Sequence, residues 1–579
     1  MKNLFRLLSL LAVMQFPMMC VPVLVPAQTD AQLSAIMTLA GASSEEELDE
    51  NEIERYVRFI SHPLEINLSN RSKLLSSGLL SRYQAASLED YRSRNGDVLS
   101  FTELALIEGF GKDFADALRP FVTLKSRSAP GELPDDSLRV HQDILVRAGV
   151  RTGEYNYGAK YRMYVGDICE YGIAGRTAYS DKRQFPPSTW SFSGVWYGQK
   201  RPWRVVAGDY NLKIGQGLSL WSGLSLSGFS SSSSFYKRPT GLSPSFSWSG
   251  NGTHRGIASD FQAGRFLFTS FVSFPGLRSR WEGKDSAVEF LPGANVGYFA
   301  RNGQLSLTVF GNGKSGKVSG DFRWNWKGMD YFGEVAADLK GQGVAFLAGS
   351  VLPLGRDWKL SWQARSTDRK GVAAGLENHG FQLTGDYSTQ NWKSSVRQYK
   401  IFMKLPLQLG RSSVLSLRFT ERIRPYEEIL KYRTGARVDL DYSSAGLSAR
   451  YGESEGDSWK WKVGIEGLLC RSLAGLSYIE CGRKTERYSA YLRGTFFMID
   501  NWDDRIYSYE RDAPGSFNVP AYYGRGYSLS AVGGSRFRFG TRKAKTLKVY
   551  FRVSTTRYPF MEKPKPSRTE ARLQLMASL

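Results

Sequence analysis

The sequence predicts two fold classes in one chain: a small all-α domain over residues 44–127 and a large all-β domain over 138–579 that reads as an antiparallel transmembrane β-barrel. Three observations carry this. The hydrophobic period changes from that of a helix to a period of two at about residue 138. The alternating segments run to about ten residues with a densely charged second face, as a tilted strand between lipid and a wet lumen requires. Trp and Tyr gather near the segment ends, where interfacial girdles lie.

The alternation is explicit. Val140, Ile144, Val146, Ala148 and Val150 alternate with Arg139, His141, Asp143, Arg147 and Arg151. Val318, Phe322, Trp324 and Trp326 alternate with Ser319, Asp321, Arg323, Asn325 and Lys327. Trp459, Trp461, Val463 and Ile465 do so with Lys460, Lys462 and Glu466, and Leu547, Val549, Phe551 and Val553 repeat the pattern near the end. A soluble sandwich or propeller is the competing all-β solution, with its apolar faces meeting in a dry core. Segment length and the charged second face favour the barrel, with roughly 16–22 strands and an even number expected. The final strand, 572–579, alternates but ends on Leu579 without a terminal aromatic residue.

Residues 1–27 read as a secretory signal peptide: Lys2 and Arg6, then an apolar stretch over 7–25, then Val25-Pro26-Ala27. A lipoprotein reading would use Cys20, but Pro17, Met18 and Met19 before it are bulkier than a lipobox allows. Beyond residue 27 no apolar run is long enough for a helical span, so any crossing must be made by strands. Cys169, Cys470 and Cys481 remain, which is not an even disulfide framework; Cys470 and Cys481 either face each other across a hairpin or stay unpaired. Charge is divided unevenly. Residues 1–137 hold 13 Lys/Arg against 19 Asp/Glu, a net of −6, and 138–579 hold 64 against 36, a net of +28.

In the helical region Ser44 opens an acidic first turn, Glu45, Glu46 and Glu47, that suits a helix N-terminus, with Leu48, Ile53, Val57 and Ile60 as an apolar face. Residues 82–94 read as a helix with Ser81 as cap and Asn95-Gly96 as stop. Ser100-Phe101-Thr102-Glu103 is a capping box opening another. Pro130, Gly131 and Pro134 mark a linker over 128–137.

Within this region Ile66-Asn67-Leu68-Ser69-Asn70 through Val122 resembles the tandem helix-hairpin-helix module of competence-protein ComEA-like DNA-binding proteins. The strongest part is Leu106-Ile107-Glu108-Gly109-Phe110-Gly111-Lys112-Asp113, then a helix over 114–118 and Arg119-Pro120-Phe121. The resemblance implies non-specific contact with double-stranded DNA. Gly109 and Gly111 let the backbone approach a phosphate, Lys112 adds charge, and Phe110 packs between the helices. In the first hairpin Gly78-Leu79-Leu80 stands where the family has Gly-hydrophobic-Gly, so only Gly78 carries over. The net acidic charge of the region opposes a DNA grip. Protein docking, or a role as plug or spacer, is the alternative. The layout of signal, helix-hairpin-helix and long barrel also resembles a poorly characterised family of bacterial envelope proteins. Two blocks carry that likeness: residues 208–218 with Trp221, and 501–507 with Tyr523-Gly524-Arg525-Gly526. Neither is a catalytic motif, and both read as inward-folded loops or tight turns.

Other signals are set aside. Residues 311–317 approach a phosphate-binding loop, but Val318 stands where Ser or Thr should hold magnesium, and the segment lies between alternating strands as a hairpin turn. His62, His141, His254 and His379 are scattered without ligand spacing, so no metal site or cofactor is expected. Asp503, Asp504 and the serines at 230–234 read as loop residues. With no nucleophile, base and oxyanion donors together, the chain reads as non-enzymatic. The expectation is an outer-membrane barrel of a Gram-negative envelope with the helical domain in the periplasm. Its partners would be membrane lipid and lipopolysaccharide, with double-stranded DNA and a periplasmic protein as the competing further ones. Basic residues would serve anions in the lumen or lipopolysaccharide phosphates outside.

Overall fold

The computed structural model describes residues 30–126 and 140–579, apart from residue 49 and short segments at 182–184, 186, 199–200, 224–228, 230–231, 249–251, 284–285, 313, 342, 356, 368, 390–396, 427–428, 445–457, 486–487, 540–544 and 563–564. The signal-peptide reading of 1–27, the linker reading of 128–137 and Ser230 and Ser231 lie outside the described residues.

The chain begins with short helices: α1 (Asp30–Ala40), α2 (Glu50–Ser61), α3 (Arg71–Ser77), α4 (Arg82–Asn95), α5 (Phe101–Leu106) and α6 (Lys112–Leu118). Their ends follow the sequence. Ser81 and Gln84 form a reciprocal capping box on α4, and Gly96 ends it. Ser100 caps α5 by accepting from the Glu103 amide. Ser44, however, opens only a 3-10 turn over Glu45–Glu47 and makes no side-chain cap; the helix proper starts at Glu50. Asn67 ties the segment together, donating to the Val98 and Leu124 carbonyls and accepting from the Val98 amide. Leu75, Leu80, Leu88, Leu104, Leu118 and Phe121 form its core.

From Val140–Arg151 onward the strands, apart from the short pair Ile506–Tyr507 and Ala521–Tyr522, form one continuous antiparallel sheet. Of its 26 strands, Leu220–Trp221 and Gly241–Pro244 are short additions on Trp203–Ile214, which leaves 24 around the wall. The last strand, Arg568–Ser578, pairs with the first, Val140–Arg151, in register Asp143↔Ser578 to Arg151↔Glu570, and so closes the barrel. A closed ladder has no edge and no second sheet to pack on, which removes the sandwich alternative. The faces sort as expected. Phe322, Trp324, Trp459, Ile465, Phe551 and Val553 point outward and are exposed, while Ser319, Asp321, Arg323 and Lys460 are buried on the inner side. So wide an apolar exterior suits lipid and not water. Among the described residues no helix is long and apolar enough to cross a membrane.

The strand number is even, but 24 exceeds the 16–22 expected. The reason is turn chemistry. Thr152-Gly153, Lys327-Gly328 and His379-Gly380 are two-residue reversals with both residues at positive φ (46°, 51° and 42° at the non-glycine positions). That is the geometry of the tight primed hairpin turn. Asn-Gly or Asp-Gly would have announced it; Thr-Gly, Lys-Gly and His-Gly do not, which leaves a count of strands from turn signals short. The segment at 311–317 is the hairpin expected, with Gly311 paired to Gly316. Cys481 pairs with Trp461 in the ladder, and Cys169, Cys470 and Cys481 are free thiols.

Candidate functional site in the barrel lumen

The helical segment packs against the barrel wall. It is seated inside the barrel. Its partners are inward-facing residues around the wall, from near the terminus-bearing end of the strands (Glu170, Arg204, Leu267, Phe299) to mid-strand (Arg147, Lys160, Arg418, Arg437). On one side Glu50 meets Arg147 at 2.9 Å and Arg176 at 3.2 Å, Glu54 meets Lys160 at 2.9 Å, and Arg58 meets Glu170 at 3.1 Å. On another, Tyr83 donates to the Arg301 carbonyl at 2.6 Å. Across the lumen Asp113 meets Lys359 at 2.7 Å, and Lys404 donates to the Ser43 carbonyl at 2.9 Å. Carboxylates of residues 30–126 thus meet the basic wall, and charge complementarity holds the segment.

The acidic turn read as a helix N-terminus serves this seat. Glu46 lies between Arg437, at 2.6 Å, and Arg418, at 3.3 Å, and Glu45 reaches Lys462 at 3.4 Å. Burial works to raise the Glu46 carboxyl, but the Arg437 and Arg418 guanidinium groups outweigh it and hold it well below the usual carboxylate range. For Glu50 burial is likewise outweighed, by Arg147 and Arg176, and its carboxyl is lowered. Glu54 goes the other way: burial dominates over Lys160, Glu50 adds repulsion, and the carboxyl is raised.

Two long connections close the lumen from the other end. The described parts of 215–253 fold inward, where Glu334 accepts from the amides of Gln216, Leu218 and Ser219 and from the Ser219 hydroxyl. Phe235 is fully buried against Phe332 and Leu347, and the Pro239 carbonyl accepts from the Arg82 amide at the start of α4. Residues 500–523 also fold in. Asp504 accepts from the Arg471 and Ser472 amides, Glu510 is paired with Arg552 and Tyr522, and Tyr509 and Phe517 pack on the helical core. The blocks read from sequence as inward-folded loops overlap them only in part: 208–214 belongs to the strand Trp203–Ile214, and Gly524-Arg525-Gly526 opens the strand Gly524–Phe539.

The four residues proposed for phosphate contact have unequal surroundings. Gly78 is the left-handed C-cap of α3 (φ 68°) and is buried, with Arg55 and Ser243 beside it. Gly109 (φ 86°) lies against Tyr83 and against Arg323 of the wall, and its carbonyl accepts from Gln84. Gly111 (φ 70°) starts α6 in open space, and Lys112 is exposed. The first hairpin and half of the second therefore face the protein itself. Phe110 is buried in the helical core, as read from sequence.

Between the seated segment, the loop at 215–253 and the wall lies a cavity of about 450 Å³. Lys400, Arg418, Arg422, Arg433 and Arg437 line it from the wall, Lys213 from the end of its strand, Lys237 and Arg238 from the loop, and Arg55 from α2. Glu46, Glu47 and Glu466 are the carboxylates among its lining residues. Sequence reading missed these residues one by one. Their signal was the opposition of a −6 and a +28 region, which was read as two separate properties.

Solved structures that resemble the chain are membrane-pore and receptor barrels. Each match covers 76% of this chain. The P pilus usher (PapC) translocation pore matches over 99% of its own chain at 10% identity and a TM-score of 0.33. The siderophore receptor PirA of Pseudomonas aeruginosa matches over 81% at 9% identity and a TM-score of 0.35, and OccK5 (OpdH) of the same organism over 97% at 8% and 0.29. No family model matches the chain, and no curated protein matches its sequence. The chain is a closed antiparallel barrel of the outer-membrane type, and the strand register given above carries that statement.

Proposed function

We propose that this protein is an outer-membrane transport barrel whose N-terminal helical segment is a removable plug, and that it is not an enzyme. The observation that carries the reading is the seat itself: acidic residues of the segment are clasped by basic residues on several sides of the inner wall. Contacts of this kind are polar and charge-assisted instead of a continuous apolar interface. They can be exchanged for water and solutes, as a gate requires, whereas an apolar seat would be permanent. The basic exterior ends of the barrel would meet lipopolysaccharide phosphates.

The DNA reading is a second possibility that the exposure of Gly111 and Lys112 favours. In the seated state Gly78 and Gly109 are covered, so double-stranded DNA, or a periplasmic protein, would engage both hairpins only after the segment leaves the lumen. The test is solute entry into liposomes carrying either the full chain or a chain lacking 30–126. The proposal expects slow entry of small sugars with the full chain and fast entry with the deletion. Equal rates would refute a plug. DNA retention by the full chain on filters would support the second reading only if it weakens steeply with salt and falls in Lys112→Ala.

A further inference from the structure

We infer that the acidic turn of the helical segment is the gate of the barrel: solutes pass when this turn lifts from the wall while the helices stay seated. The inference rests on the plug reading and names the part of the plug that moves. Contacts divide unevenly around the wall. On the strands from Val140–Arg151 to Trp358–Ser366 the helices themselves are seated, through Glu50–Arg147, Glu54–Lys160, Arg58–Glu170 and Asp113–Lys359. Apolar packing joins in there, since Leu267 and Phe299 of the wall belong to the helical core, and Arg71 and Arg82 lie over the Phe299 ring. Four neighbouring strands further on, Arg397–Leu409, Ser413–Tyr426, Ile429–Ser443 and Ser458–Leu469, are met by the turn between α1 and α2. The Ser43 carbonyl accepts from Lys404, Glu46 meets Arg418 and Arg437, and Glu45 meets Lys462.

The turn can leave without the helices. It is one 3-10 turn, Glu45–Glu47, with no side-chain cap, between Leu39 and Leu48, which are both buried in the helical core. Gly41 leaves α1 at φ 76°, a conformation that glycine adopts without strain and that supplies a hinge. The turn also forms the floor of the cavity of about 450 Å³, which Gly41, Ser44, Glu46 and Glu47 line. Phe402 and Leu468 line it from the wall; Lys404 and Lys462, which hold the turn, lie on the same strands nearer the terminus-bearing end. Lifting the turn therefore joins the cavity to that end of the lumen. As the turn parts from the wall, water from the cavity hydrates both sets of charges, so the polar clasp is exchanged for hydration. Parting the helices from Leu267 and Phe299 would expose apolar surface with no such compensation.

Arabinose entry into liposomes carrying the full-length protein tests this with Glu45→Gln/Glu46→Gln, and with Asp90→Asn, which alters a half-exposed pair within α4, as the control. Entry is expected to be slow through wild type and Asp90→Asn and at least tenfold faster through the Gln pair. The carbodiimide cross-link between Lys73 and Asp167 should still form in the conducting variant. Slow entry through the Gln pair overturns the gate and leaves the plug standing. Loss of the cross-link in that variant overturns the gate too, because the helices have then moved with the turn. Fast entry through wild type refutes the plug itself and the gate with it. A bridged form guards against misfolding: Glu45→Cys/Lys462→Cys, with Cys470→Ser and Cys481→Ser, joined by a cleavable bis-thiosulfonate. Entry should be slow while the bridge holds and at least tenfold faster once it is reduced. Equal rates before and after reduction overturn the inference.

Discussion

Glu46 illustrates how a residue acquires a role that its local pattern does not announce. Following Ser44, it reads as a favourable helix-start acid, yet it spends its charge on Arg437 and Arg418. Glu46→Gln removes a charge-assisted contact of about 2 kcal/mol, so the helical segment should become more susceptible to limited proteolysis while the barrel remains intact. Its acidity gives a sign. Seating lowers the Glu46 pKa, so its contribution is fully present above the ordinary carboxylate range and is lost only as pH falls through the depressed value. Glu54 is raised by burial, so its share of seating strengthens as pH falls through its raised value toward the ordinary one. Proteolysis of wild type and Glu54→Gln across mildly acid pH should show the Glu54 component vanish in the variant.

The two hairpin glycines separate packing from phosphate contact at the same scale. A Cβ on Gly109 would stand 2.9 Å from Tyr83 Cδ1 and 3.1 Å from Arg323 Nη1, whereas one on Gly111 meets nothing. Gly111→Ala should cost only the strain of a backbone conformation that is essentially glycine's alone (φ 70°, ψ 163°), about 1–3 kcal/mol. Gly109→Ala should cost more and loosen the seat. Thermal unfolding of both variants checks this, and equal losses would count against the packing account.

At the scale of elements, what could be read in advance followed local rules. The caps at Ser81 and Ser100, the Gly96 stop and the alternation of Trp324 with Arg323 depend on a few neighbouring residues, and the structure has them, although Glu103 accepts from the Leu99 amide and does not complete the box expected at Ser100. The acidic turn at Glu45–Glu47 and the strand count depended on more distant facts: the partner of Glu46 is almost four hundred residues away, and the Lys327-Gly328 type of turn lacks the usual signal. The infolded loops were legible as loops, but their anchors were not. Glu334 accepts four hydrogen bonds from the 215–253 loop. Glu334→Ala strands three amides, at about 1–3 kcal/mol each if they stay buried. Loop 215–253 should therefore become the first site of protease cleavage, with wall strands still protected in hydrogen exchange. Protection lost throughout the wall would show that the loop is part of the barrel's own stability.

For the whole molecule, the sequence made the barrel class clear because lipid outside and charge inside impose a period of two on every strand. It did not reveal that the basic lumen and the acidic helical segment are two halves of one interface, since each half is also an ordinary solvated surface when considered alone. The Gly109, Gly111, Lys112 and Gly78 set followed from a resemblance of hairpins, and the seat in the lumen covers two of its members. The central claim is that the helical segment occupies the lumen of its own barrel. Zero-length carbodiimide cross-linking of the full-length protein in native membranes, read by mass spectrometry, tests it most directly. The pairs Lys73–Asp167 and Lys359–Asp113 join the segment to two places on the barrel, the turn between Glu154–Val165 and Cys169–Arg176 and the strand Trp358–Ser366. Both cross-links in one chain are the predicted result. Cross-links confined to the helical segment, or leading from it to another protein while neither wall pair forms, would contradict it.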